Sequence, residues 1–108
     1  DKARELLEAY GPLDALICAT DDMAAGALQH LHRQGIKVPE QMLLTGHGAS
    51  GISEVTTPAI TTIRYFYEES GANAAGLLLE LLEKPDTPAK EIKLGYAILE
   101  NESTNSAL

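Results

Sequence analysis

Apolar residues recur at helical spacing in three stretches of the chain and in short unbroken runs between them. The spacing predicts a first helix that ends near Tyr10, where Gly11 and Pro12 stop it, a second over about residues 21–34, and a third over Glu68–Glu83. The apolar stripe of the second helix is narrow and rich in small residues, which suits close packing on a sheet or a partner. It consists of Met23, Ala24, Ala27, Leu28 and Leu31.

The short apolar runs predict strands. Residues 15–19 are apolar without alternation, which is typical of a strand covered on both faces of a parallel sheet. Similar runs predict strands over residues 42–45, 60–65, 91–94 and 96–100, with a glycine- and hydroxyl-rich loop at 46–58 and a polar tail from Asn101. Strands alternating with helices predict an α/β fold with a parallel, Rossmann-like sheet.

Composition narrows the class of protein. The chain of 108 residues carries 16 acidic and 8 basic residues and a formal net charge of −8, so we do not expect this chain itself to bind DNA. It has no signal-peptide pattern and no apolar run near the ~20 residues that cross a bilayer, which indicates a soluble, cytoplasmic protein. Because it opens on Asp1 and enters a helix at once, we expect a fragment of a longer protein. The single cysteine, Cys18, is interpreted as a buried strand residue.

Two predicted strand ends carry polar residues suited to ligand binding. Thr20 and Asp21 follow the first strand, and His47 lies between Gly46 and Gly48 after the second. Ligands of open α/β sheets bind outside the carboxyl ends of the strands, so these residues are candidates for contacting sugar hydroxyls or a small anion. The alternatives are that Thr20 only caps a helix and that His47 is a solvated loop residue.

Enzymatic chemistry finds little support in the sequence. A metal site at Asp21 and Asp22 needs further acids on neighbouring strand ends, and none follows the second strand. Residues 46–51 match the spacing of a dinucleotide-binding loop, but residues 52–58 are a poor helix. His30 and His32 are interpreted as surface or interface residues, and no nucleophile elbow occurs. We therefore assign no catalytic residue, no metal ligand and no cofactor.

Several segments, in this order, resemble the LacI/GalR family of bacterial transcription regulators. They are DMAAGAL in the second helix, IKVPEQMLLTG into the second strand, TPAITTIR into the third, and the closing ENEST. The resemblance covers nearly the whole chain and corresponds to the C-terminal part of the family's effector core. TGHG, in place of the commoner GFDD, resembles the sucrose-type repressors of the family.

The resemblance implies part of a type I periplasmic-binding-protein-like fold, with residues 1–65 and 95–108 in the C-terminal lobe and 66–94 crossing to the N-terminal lobe. It implies a sugar or sugar-phosphate effector between the lobes, a homodimer, and operator DNA bound by a helix-turn-helix that this chain lacks. The implied effector contacts are Thr20, Asp21, His47, Gly48, Phe66 and Tyr67. The implied dimer contacts are Ala24, Ala25, Leu28, Ile52, Val55 and Thr57. The alternatives are that the small side chains of the second helix pack against the sheet, and that Phe66 and Tyr67 only pack at the hinge.

Gly48 stands where many members carry an aspartate that binds sugar hydroxyls, so His47 is expected to supply the hydrogen bonds instead. Because this chain carries only one side of the cleft, we expect it to bind sugar weakly or not at all by itself. We expect the leucine-rich helix at 68–83 to dock on its own fragment or on another chain. The alternatives are a periplasmic sugar-binding protein of the same fold and a Rossmann-like nucleotide-binding enzyme domain.

Overall fold

A computed structural model describes residues 2–108 and contains four helices and four strands among them. In chain order these are α1 (Lys2–Tyr10), β1 (Ala15–Ile17), α2 (Asp21–Arg33), β2 (Leu43–Thr45), α3 (Ile52–Val55), β3 (Thr62–Tyr65), α4 (Tyr67–Glu83) and β4 (Tyr96–Leu99). The three longer helices and their limits confirm the predictions from the sequence.

Helix α2 packs its small-residue stripe into the core. Thr20 caps the helix by accepting a hydrogen bond from the Met23 amide at 3.2 Å, and the helix begins at Asp21. Its stripe is buried as expected except at Met23, which is exposed. The core that these side chains join consists of Ala3, Ala24, Ala27, Leu28, Leu31, Val38, Met42, Leu44 and Ile60.

Strands β1 and β2 pair in parallel, with Leu16 opposite Leu44, as predicted for a parallel sheet. Only Leu44 is fully buried, and Ile17 is 82% exposed. The expectation that the first strand is covered on both faces was therefore wrong. Among the described strands β1 pairs with β2 alone, and the face of the sheet that carries Ile17 is left open.

The segment at 46–58 was expected to lack regular structure, yet residues 52–55 form the single helical turn α3. Ser53 stabilises the turn by donating its hydroxyl to the Ser50 carbonyl at 2.8 Å. Local hydroxyl-to-backbone bonds of this kind are typical of turns and helix starts, so a glycine- and hydroxyl-rich segment did not indicate a helix.

The C-terminal residues contribute to the core. Strand β3 pairs with β4, whereas residues 91–94 form no strand. Ser103 is 0% exposed and donates its hydroxyl to the Leu44 carbonyl at 2.5 Å while accepting from the Thr61 amide at 2.8 Å. The prediction of a polar tail from Asn101 is therefore wrong at Ser103. This buried side chain links β2 to the residue before β3.

The chain divides into two compact units, one formed by residues up to Arg64 with Ala97–Leu108, and the other by Tyr65–Tyr96. In the second unit α4 has no buried residue, and Leu78, Leu79 and Leu82 are exposed. Lys90 pairs with Glu80 of this helix at 2.7 Å. The assignment of the two units to two lobes of a larger protein, and the docking of α4, stay predictions.

Candidate functional site

A cavity of about 600 Å³ lies at the carboxyl ends of β1 and β2, within the first unit. Its walls are mostly aliphatic, and of the effector contacts implied by the sequence only His47 lines it. Among the described residues that line it, none carries a carboxylate, an ammonium or a guanidinium group. The lining consists of Ile17, Cys18, Ala19, Thr45, Gly46, His47, Thr61, Thr62, Ile63 and Ile98.

The backbone on both sides of His47 is held by hydrogen bonds. The His47 carbonyl accepts from the Asp21 amide at 3.1 Å, and the Gly48 amide donates to the Ile63 carbonyl at 2.9 Å. The Gly46 amide donates to the Thr61 carbonyl at 2.9 Å. His47 is half-buried, and its imidazole can donate, accept or stack, so it is the polar side chain best placed to contact a ligand in this cavity.

Asp21 has a different place from the one implied by the family resemblance. The residue is 1% exposed and does not line the cavity. Its Oδ1 accepts from the Thr62 hydroxyl at 2.6 Å, and its Oδ2 accepts from the Ser50 amide at 2.7 Å and the Ser50 hydroxyl at 3.1 Å. Because its carboxylate is buried and satisfied internally, the expectation of direct effector contact is corrected for Asp21.

Thr20 and Gly48 also lie outside the cavity lining. Thr20 performs the capping role that the sequence left open as its alternative. Gly48 has φ +110°, a conformation that side chains rarely adopt, so the backbone there needs glycine. The turn that carries His47 therefore favours glycine at this position.

Phe66 and Tyr67 lie in the second unit, where they line a separate cavity of about 370 Å³ together with Tyr65 and Gly95. Tyr65 and Tyr67 meet edge to face, with ring centroids 6.2 Å apart. An apolar aromatic surface suits the face of a sugar ring, and the effector role of these residues stays a prediction.

The residues implied in dimer contacts fall into two groups. Ala24 and Leu28 are buried in the core of the same chain, so they have no surface to offer a partner, and the expectation is corrected for both. Ala25 and Ile52 are half-buried, Thr57 is exposed, and Val55 is 79% exposed. The remaining four are available for the predicted interface.

Sequence reasoning missed the residues that build the strand-end loop. Ser50 and Thr62 anchor Asp21, and Ile98 reaches the cavity wall from β4. Hydroxyl residues inside predicted strands were the available signal, since Thr61 and Thr62 interrupt an apolar run. Cys18 also lines the cavity, and burial raises the pKa of its thiol above the ordinary value.

Two searches of the described part of the chain bear on other kinds of site. No three histidine, cysteine or acidic side chains there come close enough together to hold a metal ion. Over residues 2–108, no helix has the length and apolar character needed to span a membrane.

Comparison with known proteins relates the chain to bacterial regulators. The sequence model of the family described as periplasmic binding protein-like domain matches residues 1–104. The chain is 33% identical to the probable HTH-type transcriptional repressor ExuR of Bacillus subtilis (strain 168) over 81% of its own length and 26% of that protein's. It is also 33% identical to the HTH-type transcriptional regulator GntR of Pseudomonas aeruginosa, over 93% of its own length and 29% of that protein's.

A solved structure described as the transcriptional regulator CelR–cellobiose complex superposes with a TM-score of 0.88 and 30% identity. The match covers 94% of this chain and 31% of that one. This chain therefore spans less than a third of each of these three relatives.

Proposed function

Since the chain belongs to the LacI/GalR family of transcription regulators and carries its periplasmic-binding-protein-like domain, we propose that it is the effector-sensing part of a DNA-binding transcriptional repressor. Its relatives are transcription regulators and not enzymes. The effector in this proposal is a sugar, bound without covalent chemistry.

The cavity at the ends of β1 and β2 is the observation that carries the proposal. Ile17, Ile63 and Ile98 give it aliphatic walls that suit the C–H faces of a sugar ring. The hydroxyls of Thr61 and Thr62 are bonded within the chain. The polar side chains of His47 and Thr45 also line the cavity, and an imidazole can donate or accept a hydrogen bond with a sugar hydroxyl. Because no described lining residue carries a carboxylate, ammonium or guanidinium group, this cavity favours a neutral sugar over its phosphate.

The proposed mechanism is a shift of population between two states of the intact protein. An effector that binds one arrangement of the lobes better than the other changes DNA affinity by that difference in binding free energy. The coupling is reciprocal, so operator DNA changes sugar affinity by the same factor. The first unit contributes His47 and the aliphatic walls of its cavity to this proposal.

The proposal includes a homodimer and a cytoplasmic location. Ala25, Ile52, Val55 and Thr57 form the surface offered to a second copy, and Val55 is its most exposed apolar member.

A net charge of −8 repels a phosphate backbone, so a helix-turn-helix outside this chain makes the contact with operator DNA.

The experiment measures DNA binding by the intact protein. Fluorescence anisotropy with the DNA upstream of its own gene is recorded with and without glucose, sucrose, cellobiose and their phosphates. We expect DNA binding that one neutral sugar changes at least about tenfold, within the usual range of coupling free energies. Sugar binding without any DNA binding would instead support a periplasmic sugar-binding protein, and binding of neither would refute the proposal.

A further inference from the structure

We infer that Asp21 is a positioning residue whose buried carboxylate fixes the loop at 46–50 and thereby holds His47 in the cavity. The inference rests on the proposed function for its ligand, a sugar, but its structural part concerns the loop alone. Asp21 is the first residue of α2, so it reaches the loop from a rigid element of the core.

Asp21 holds the loop at two points. Its main-chain amide donates to the His47 carbonyl at 3.1 Å, and its Oδ2 accepts from both the amide and the hydroxyl of Ser50. The loop that carries His47 is therefore bonded to Asp21 twice, once at His47 itself and once at Ser50. The Gly46 and Gly48 amides also bond to Thr61 and Ile63, so removing a bond to Asp21 loosens mainly the part of the loop that follows His47.

Thr62 links the carboxylate to the middle of the same loop. Its hydroxyl donates to Asp21 Oδ1 at 2.6 Å and accepts from the Ala49 amide at 3.1 Å. Ala49 has φ +51°, in the left-handed region that costs an alanine free energy. Such a conformation persists where neighbouring bonds over-determine it, and here Asp21, Thr62 and Ser50 provide those bonds.

The chemistry of the site calls for a carboxylate. Three donors converge on Asp21, namely the Thr62 hydroxyl and the amide and hydroxyl of Ser50. A carboxylate only accepts, so it can take all three of these bonds at once, whereas the N–H group of an asparagine could be accommodated only by a hydroxyl that gives up its own donated bond. The first turn of α2 also stabilises the negative charge through the helix dipole.

Asp21→Asn tests the structural part in the intact protein without any ligand. Amide hydrogen exchange and the imidazole NMR resonances of His47 are compared with those of Ser103→Ala, a matched loss of a buried hydrogen-bonding group outside the cavity lining. We expect D21N to increase exchange at Ser50 and Ala49 and to shift the His47 ring signals, and S103A to do neither. Unchanged exchange at Ser50 and unshifted His47 signals in D21N would overturn the inference.

A double-mutant cycle tests the action through His47. Calorimetry with cellobiose, sucrose and glucose gives the sugar affinity of wild type, D21N, His47→Ala and the double variant. We expect D21N to weaken binding about tenfold in the wild-type background, the scale of a lost hydrogen bond to a charged group, and to have almost no effect once His47 is alanine. The same loss in both backgrounds, or a lower melting temperature with unchanged affinity, would contradict the inference. If wild type binds none of the sugars, the proposed function fails and the exchange experiment still decides the role of Asp21 in the loop.

Discussion

The Oδ1 atom of Asp21 occupies the space that a Cβ atom would need at Gly46. The same Cβ would lie 3.0 Å from the Asp21 Cα and 3.3 Å from the Ala24 Cβ. Gly46 does not have a positive φ, so its backbone conformation does not require glycine. Glycine is needed because the backbone just after β2 passes close to the start of α2. This contact brings the two strand-end segments together beneath the cavity.

Gly46→Ala is therefore expected to destabilise the protein by about 1–3 kcal/mol, because the added methyl group meets a pinned carboxylate and backbone. Chemical denaturation monitored by circular dichroism measures the change. Gly51→Ala is the control, since a Cβ there meets nothing within 4 Å, and it should change the free energy of unfolding by less than about 0.5 kcal/mol. Equal effects of the two substitutions would show that the contact with Asp21 does not matter.

Ser103→Ala is expected to lower the free energy of unfolding by about 1–3 kcal/mol. The substitution leaves the Leu44 carbonyl and the Thr61 amide without the hydroxyl that they share in the core. Thermal denaturation compares it with Ser106→Ala, an exposed serine of the same segment. A melting temperature as high as that of S106A would mean that the C-terminal segment does not tie β2 to β3.

Val55→Glu is expected to weaken the proposed homodimer without unfolding the chain, because Val55 is 79% exposed and contributes little to its own core. Placing two carboxylates in an apolar interface costs desolvation and repulsion. Sedimentation velocity of the intact protein should show monomers at concentrations where wild type is dimeric. Tyr10→Glu, an exposed position on α1, should leave the dimer intact, and a dimeric V55E would place the interface elsewhere.

Cys18 reports on occupation of the cavity. Burial raises the pKa of its thiol, so less thiolate is present near neutral pH. Alkylation by iodoacetamide should therefore be slower than for a free thiol, and the alkylation rate should reach its midpoint at a higher pH. A sugar in the cavity should slow the reaction further, because Cys18 lines its wall. Mass spectrometry follows the labelling, with urea-unfolded protein as control. Labelling at the unfolded rate, with or without sugar, would contradict this placement.

The three longer helices were predictable from the sequence because their limits are set locally. Thr20 caps α2, Gly11 and Pro12 stop α1, and Lys84 and Pro85 follow the end of α4. The parallel pairing of β1 with β2 followed from the alternation of elements. The α/β fold class and the family were likewise predictable from these patterns.

Burial outside α2 and the roles of most polar residues were not predictable, since they depend on contacts between distant segments. Ile17 belongs to an apolar run and is nevertheless exposed, while Ser103 belongs to a polar one and is buried. Asp21 lies 29 residues from Ser50 and 41 from Thr62, so no local pattern indicated that its carboxylate serves the loop and not a ligand. Only His47 was placed in the cavity as the sequence suggested.

Isothermal titration calorimetry of the intact protein, of His47→Ala and of His32→Ala, an exposed histidine on α2, tests the central claim most directly. Glucose, sucrose, cellobiose and their phosphates form the panel. The account predicts that one neutral sugar binds, that H47A weakens it about tenfold, the equivalent of about 1.4 kcal/mol, and that H32A leaves it unchanged. Absence of binding by every sugar, or equal affinity of H47A and wild type, would contradict it.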